Sequence, residues 1–207
     1  MPNGLFRALV MALSCFVLLT SDAWADKPPP SAVRVRGTIE SVNNDVMVVK
    51  ARDGKDVTVR LASATQVAGI VPTTLADIKV GSFIGAAGMP QADGSQKAIE
   101  VHVFPESMRG TGEGFREWDV RPNSSMTNAT VANMVEGNDG QTLTVKFKGG
   151  EKKLTVAPNT PVVSYVPGER SELKPGAKIF TLAKKLPDGS LEGSRIAVGR
   201  NGLTPPM

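Results

Sequence analysis

The chain has 207 residues, 24 basic and 20 acidic side chains, and a formal net charge of +4. That balance is ordinary for a soluble surface and is weak evidence for an anionic partner. One histidine and one cysteine exclude a cysteine-built metal cluster and leave few nucleophile–base pairs for an enzyme.

The N-terminus reads MPNGLFRALVMALSCFVLLTSDAWADKPPP. Arg7 precedes an almost wholly apolar run over 8–19, and Ala23-Trp24-Ala25 is a small-x-small site. This is the grammar of a cleavable signal peptide over 1–25. The apolar run is about 12 residues, short of the ~20 that a spanning helix needs. Cys15 lies inside that run, badly placed for lipid attachment. Cleavage removes Arg7 and Asp22 together and takes the only cysteine, so residues 26–207 keep the charge and must be held by packing alone. A Pro-rich start follows over 26–32.

Strands dominate the rest, and the expected class is all-β. The stretches 33–42, 45–51 and 55–62 are rich in β-branched residues and separated by Asn43-Asn44 and Asp53-Gly54. Thr73 or Thr74 caps a helical turn that Gly81 ends. SFIGAAGM and QKAIEVHVF then form a hairpin around Asp93-Gly94. The plan recurs in strands at 128–137, 141–148 and 151–157, a short connector at 171–176, and a hairpin around Asp188-Gly189. Thr65 and Thr160, Gly81 and Gly176, and Asp93-Gly94 and Asp188-Gly189 share one offset of 95 residues. Three strands, a helical connection and two strands is the order of an OB-like Greek-key barrel. The expected organisation is two tandem five-stranded OB-like barrels with short helical connectors, over 33–104 and 128–207 (the second with a short C-terminal tail). An ordered linker over 105–127 joins them. One continuous β-sandwich is the competing arrangement.

The segments VRGTIESV, LADIKVGSFIGAAGMPQADGSQKAIEVHVFPE, MRGTGEGFREWD, MTNATV and RNGLTPPM resemble a family of exported proteobacterial β-barrel proteins of unknown function. The resemblance covers residues 26–207, most closely 75–131. It implies a periplasmic setting and tandem OB-like domains, and it carries no catalytic residue. Some relatives bear a metal-transport permease name; a permease needs several spanning helices, and residues 26–207 hold no such run.

The stretch MRGTGEGFREWD, residues 108–119, lacks the spacing of a dinucleotide or phosphate loop, and Glu113 would repel a phosphate. It reads as a packed joint, with Phe115 and Trp118 docked on the barrels and Arg109, Arg116 and Arg121 pairing locally with Glu113, Glu117 and Asp119. A cleft at the barrel junction is the sharper alternative, since ligand sites favour domain interfaces. Phe83 and Phe104 fall side by side on the face away from Ile84, Val101 and Val103, where the linker or a partner must cover them.

For a soft metal, the candidates are His102, Met108 and Met126. Folding the hairpin about Asp93-Gly94 sets Met89 opposite Ala98 and some four residues, or ~13 Å, from His102, too far to share an ion. His102 otherwise reads as a solvent-facing strand residue beside Glu100. Ser171-Glu172-Leu173-Lys174 matches S-x-x-K without its S-D-N and K-T-G partners. Nucleic acid is disfavoured because the strands that would read it carry only Phe147, which alternation turns inward. Lys146, Lys148 and Lys153 form a basic edge suited to an anionic envelope surface. The expectation is an exported, non-enzymatic binding or scaffolding protein with no cofactor, partnered by an envelope protein or surface, with metal binding as the alternative.

Overall fold

The structure is a computed structural model that describes residues 32–137 and 140–207. The expected signal peptide lies outside the described residues. Twelve strands form one continuous sheet. They are β1 (Ala32–Asn43), β2 (Val46–Ala51), β3 (Asp56–Pro72), β4 (Phe83–Pro90), β5 (Gln96–Val103), β6 (Gly114–Glu117), β7 (Ser125–Gly137), β8 (Gly140–Phe147), β9 (Gly150–Val156), β10 (Val162–Pro167), β11 (Lys178–Lys185) and β12 (Leu191–Gly199). No helix among the described residues is long and apolar enough to cross a membrane.

Local turn chemistry explains the punctuation. The connectors are single 3-10 turns, Leu75–Asp77 and Arg170–Glu172. Asp77 closes the first by accepting from the Thr74 N–H and from both the Thr73 and Thr74 hydroxyls. Glu172 closes the second by accepting from the Glu169 N–H. In the hairpin turns, Asp93 accepts from the Ser95 N–H and hydroxyl, and Asp188 does the same for Ser190. Gly94 and Gly189 take φ of 81° and 84°, values that favour glycine.

Which strands close each ring differs from expectation. β1, β2 and β3 form a meander, but the hairpin that completes it is β11–β12, from the far end of the chain. β1 pairs antiparallel with β11, and β12 runs parallel to β3. The result is a closed five-stranded barrel in the order β12-β11-β1-β2-β3. The early hairpin β4–β5 serves the other meander instead: β4 pairs antiparallel with β7, and a short parallel contact of β5 with β9 closes a second ring, β5-β4-β7-β8-β9. The pairing therefore does not follow the self-contained segments 33–104 and 128–207. Each hairpin has crossed to the opposite meander.

β3 carries the chain across. Its first half belongs to ring one; its second half, past Ala68, pairs antiparallel with β10. The register is centred on Ile70 opposite Tyr165, residues that are 95 apart. β10 in turn runs parallel to β5. Where β3 is continuous, the corresponding chain breaks between β9 and β10 at Pro158 and Pro161, which have no N–H for the ladder. Neither β10 nor β6 was expected. β6 lies in the predicted linker and pairs with β7 as a short edge strand.

Three cores follow from this topology. Val35, Met47, Val49, Leu61 and Ile179 fill ring one, and Leu173 packs with them. Ile84, Val101, Leu143, Val145 and Leu154 fill ring two with Ile78. A third core lies between the rings, built from Ile70, Trp118, Met126, Phe180 and Met207. Each large apolar side chain so buried stabilises by about 1.5–3 kcal/mol.

Because β10 joins β3 of ring one to β5 of ring two and a third core lies between the rings, the two rings are expected to unfold together. Leu143→Ala in ring two is expected to cost about 2–5 kcal/mol and to shift one cooperative urea transition for the whole of residues 26–207. Two transitions, only one of them moved by the substitution, would contradict this coupling of the rings.

Candidate ligand-binding cleft

The crossing of β3 and β10 leaves a cleft of about 880 Å³ between the rings. That is within the usual size of a small-molecule site. Its walls come from the far half of β3, from β5, β7, β10, β11 and β12, and from the linker around β6. Of the residues singled out in the sequence, Phe104, Arg116, Trp118, His102, Met108 and Met126 all line it. Phe83, Arg109, Phe115, Lys146, Lys148 and Lys153 do not.

One wall is aromatic and polar. Strand alternation turns Glu100, His102 and Phe104 to the outer face of β5, away from Val101 and Val103. β10 lies beside that face, and Tyr165 stacks on Phe104 at 5.0 Å with rings nearly parallel. Phe83 meets Phe104 at 5.3 Å, as the hairpin register predicts, and the Arg109 guanidinium lies 5.9 Å from the Phe83 ring. Both phenylalanines are buried, so β10 and the linker cover the pair. Arg109 itself is fixed outside the cleft by Glu106 and by the Gly81 carbonyl.

His102 corrects an expectation. It is 3% exposed, and Glu100 beside it is 1% exposed. Alternation gives the face of a strand but not what covers it; here β10 covers it. Nδ1 of His102 is 3.2 Å from Glu100 Oε2. The ring abuts Gly85, its partner across β4–β5. A β-carbon at residue 85 would clash with Nε2 and stand 2.6 Å from Oδ1 of Asn128. The Asn128 amide is held by donating to the Thr111 carbonyl at 2.9 Å. Burial, and then the Glu100 charge, push the Tyr165 phenol far above its ordinary range, so it remains a neutral hydroxyl. The hairpin register also differs from expectation. A bulge between Ala87 and Gly88 sets Met89 opposite Lys97 rather than Ala98.

The other wall is cationic. Trp118 is 8% exposed and is the packed joint its size implies. Phe180 meets it edge-on, the Arg34 guanidinium lies 4.2 Å from its ring, and Arg36 and Arg116 lie at 5.7 and 5.6 Å. Asp119 pairs with Arg36 through both oxygens and lies 3.6 Å from Arg34. The pairing is thus with ring one, not within the linker. Glu113 likewise accepts from the Lys148 N–H, across the turn between β8 and β9. Arg116 donates to the Gly112 carbonyl at 2.6 Å and has no carboxylate partner among the described residues. Burial, and then the Arg34 charge, hold its guanidinium below the ordinary value. Phe115 departs from expectation: it is 44% exposed, because β6 is an edge strand whose alternate residues face outward, and Lys152 covers its ring at 4.7 Å.

Several residues at the cleft carried no functional reading in the sequence. Asn128, Tyr165, Phe180 and Met207 reach it only through pairings between distant segments. Gly85 offered one local signal, since a glycine inside a strand often marks a close approach. Arg170 and Arg195 also line the cleft, and Arg170 pairs with Asp45 at 2.6 Å. Ser171 of the S-x-x-K match lies on an exposed 3-10 turn, where its hydroxyl donates to Glu169. Among the described residues no group of three or more His, Cys, Asp or Glu side chains could hold a metal ion. A smaller hollow of about 310 Å³ lies over Lys97, Arg121 and Thr160 and lacks an aromatic wall. No family model, characterised protein or solved structure matches the chain.

The Asp119 pair makes a pH prediction. Burial works to raise this carboxyl, but the hydrogen bonds and charge of Arg36, with Arg34, outweigh it and hold the carboxyl below its ordinary value. A lowered folded value means stability that is full above the unfolded value near ~3.9 and is lost as pH falls through the folded one. The carboxylate is about half exposed, so the contribution at neutral pH is under about 1 kcal/mol. Urea midpoints of Asp119→Asn are expected to lie slightly below those of the unmodified chain at pH 7, and the gap to shrink as pH falls below the unfolded value. A constant gap across that range would contradict the pairing.

Proposed function

We propose that this chain is an exported, non-enzymatic binding protein of the periplasm whose interbarrel cleft holds an organic anion. The observation that carries the reading is the composition of the cleft. Three arginines, Arg116, Arg170 and Arg195, line it together with Phe104, Tyr165, Trp118 and Phe180, and no Asp or Glu side chain does. An aromatic body would stack on the ring walls, and a carboxylate or similar group would supply the anionic partner that Arg116 lacks. No part of this role needs a cofactor.

The architecture supports the same reading. Each ring has a meander whose first strand pairs antiparallel, and whose third runs parallel, to a closing hairpin. That is the strand order of an OB-type barrel, and we take the protein as two such barrels with exchanged hairpins, behind a signal peptide cleaved after Ala25. Lys146, Lys148 and Lys153 are exposed on ring two and suit contact with an anionic envelope surface or an envelope protein. They form a second surface, separate from the cleft.

A metal-binding reading is favoured by one observation: His102, Met108 and Met126 share the cleft. Soft ligands of this kind suit Cu(I).

Residues 26–207 contain a single tryptophan, Trp118, at the cleft. Its emission is expected to change saturably on titration with phenylacetate and to ignore neutral phenylacetamide. Arg116→Gln is expected to weaken the acid by roughly tenfold, the worth of one charge-assisted hydrogen bond. No saturable response, or affinity independent of Arg116, would contradict the organic-anion reading. Stoichiometric quenching by Cu(I) that Met126→Ala abolishes is the result the metal reading requires instead.

A further inference from the structure

The two rings treat one position in opposite ways. In ring one, Phe180 on β11 faces Ala197 on β12. In ring two, 95 residues earlier, Gly85 on β4 faces His102 on β5. The bulk has changed sides and changed character. Ring one fills the space with a phenyl group, which needs no hydrogen bond. Ring two empties it at Gly85 and admits an imidazole, backed by a buried carboxylate. An apolar filler would avoid the cost of burying two polar groups. Packing alone therefore gives no reason for this histidine.

Its orientation gives one. A neutral imidazole that donates from Nδ1 to the Glu100 carboxylate is the tautomer whose Nε2 carries a lone pair. Asn128 donates its amide N–H to Thr111, which leaves Oδ1 beside the imidazole. Oδ1 of Asn128 is buried and has no protein partner, and no described side chain donates to Nε2. In that tautomer two acceptors stand on a wall of the cleft without a donor between them.

We propose that His102 is the specificity-determining residue of the cleft: it accepts a hydrogen bond from its ligand, which is an organic anion with a planar body bearing a hydroxyl or amino donor. Glu100 is a positioning residue that fixes the tautomer. The inference rests on the organic-anion reading above and adds to it the end of the ligand opposite the charge. A site built to bond a donor discriminates against an analogue that lacks it, since its own polar atoms are then left unpaired.

His102 is the only histidine in the chain, so its imidazole nitrogens can be observed by long-range 15N–1H correlation without ambiguity. The probes are phenylacetate and 4-hydroxyphenylacetate, titrated into labelled residues 26–207. The free protein is expected to show Nδ1 protonated and Nε2 bare. 4-Hydroxyphenylacetate is expected to shift Nε2 and to bind roughly three- to tenfold more tightly than phenylacetate, the worth of one hydrogen bond. Glu100→Gln should remove both the tautomer preference and that advantage while phenylacetate still binds. Nε2 protonated in the free protein, or equal binding of the two acids with Nε2 unmoved, overturns the proposal and leaves the organic-anion reading standing. Failure of both acids to bind overturns both. An Nε2 shift produced by Cu(I) and by neither acid overturns both in favour of the metal reading.

Discussion

The architecture depends on one pairing, the antiparallel crossing of β3 and β10 centred on Ile70 and Tyr165. β3 is 17 residues long, enough to leave ring one and lie along a second strand before it ends at Pro72. Once the chain has been carried across, the hairpin that follows lies beside β10, away from the meander it came from. β4–β5 therefore closes on β7 and β9, and β11–β12 fills the place left in ring one. The interring core around Ile70, Trp118 and Phe180 and the cleft beside it are both products of that crossing.

Much of the local structure was legible because it is set by short-range chemistry. Asp-Gly-Ser at 93–95 and at 188–190 forms the same turn, with the same aspartate hydrogen bonds, wherever the flanking strands go. Strand alternation placed Phe83 beside Phe104 and turned Phe147 inward. The closing partner of each meander was not legible. The signals for a hairpin are identical whether it folds back on its own meander or onto another, and register beyond the turn is a long-range matter. β10 was missed for a related reason: Pro161 and Pro167 bound VVSYV, and they read as loop punctuation rather than as the ends of a short strand.

The candidate site shows the same division. Trp118 and Arg116 were found from their residue types and from the tendency of ligands to lie at domain junctions. Phe115 was over-read, since an edge strand turns alternate side chains to solvent. His102 was misjudged because its burial is set by β10, more than fifty residues on. The polarity of the cleft follows from these long-range contacts. Arg34 and Arg36 from β1 hold the indole and Asp119 on one side, while His102 from β5, backed by Glu100, and Asn128 from β7 form the other. A cleft cationic at one wall and rich in acceptors at the other suits a ligand with distinct ends.

The exchanged pairing is the central claim, and disulfide trapping tests it most directly. The only native cysteine is Cys15, so residues 26–207 are a clean background. Arg60 on β3 faces Glu192 on β12 in the exchanged arrangement. If each half closed on itself with the same 95-residue correspondence, Arg60 would instead face Lys97 on β5, which here pairs with Thr155. Mild oxidation should close an intramolecular disulfide in Arg60→Cys/Glu192→Cys and leave Arg60→Cys/Lys97→Cys as free thiols. A disulfide in the second variant and none in the first would contradict the exchange.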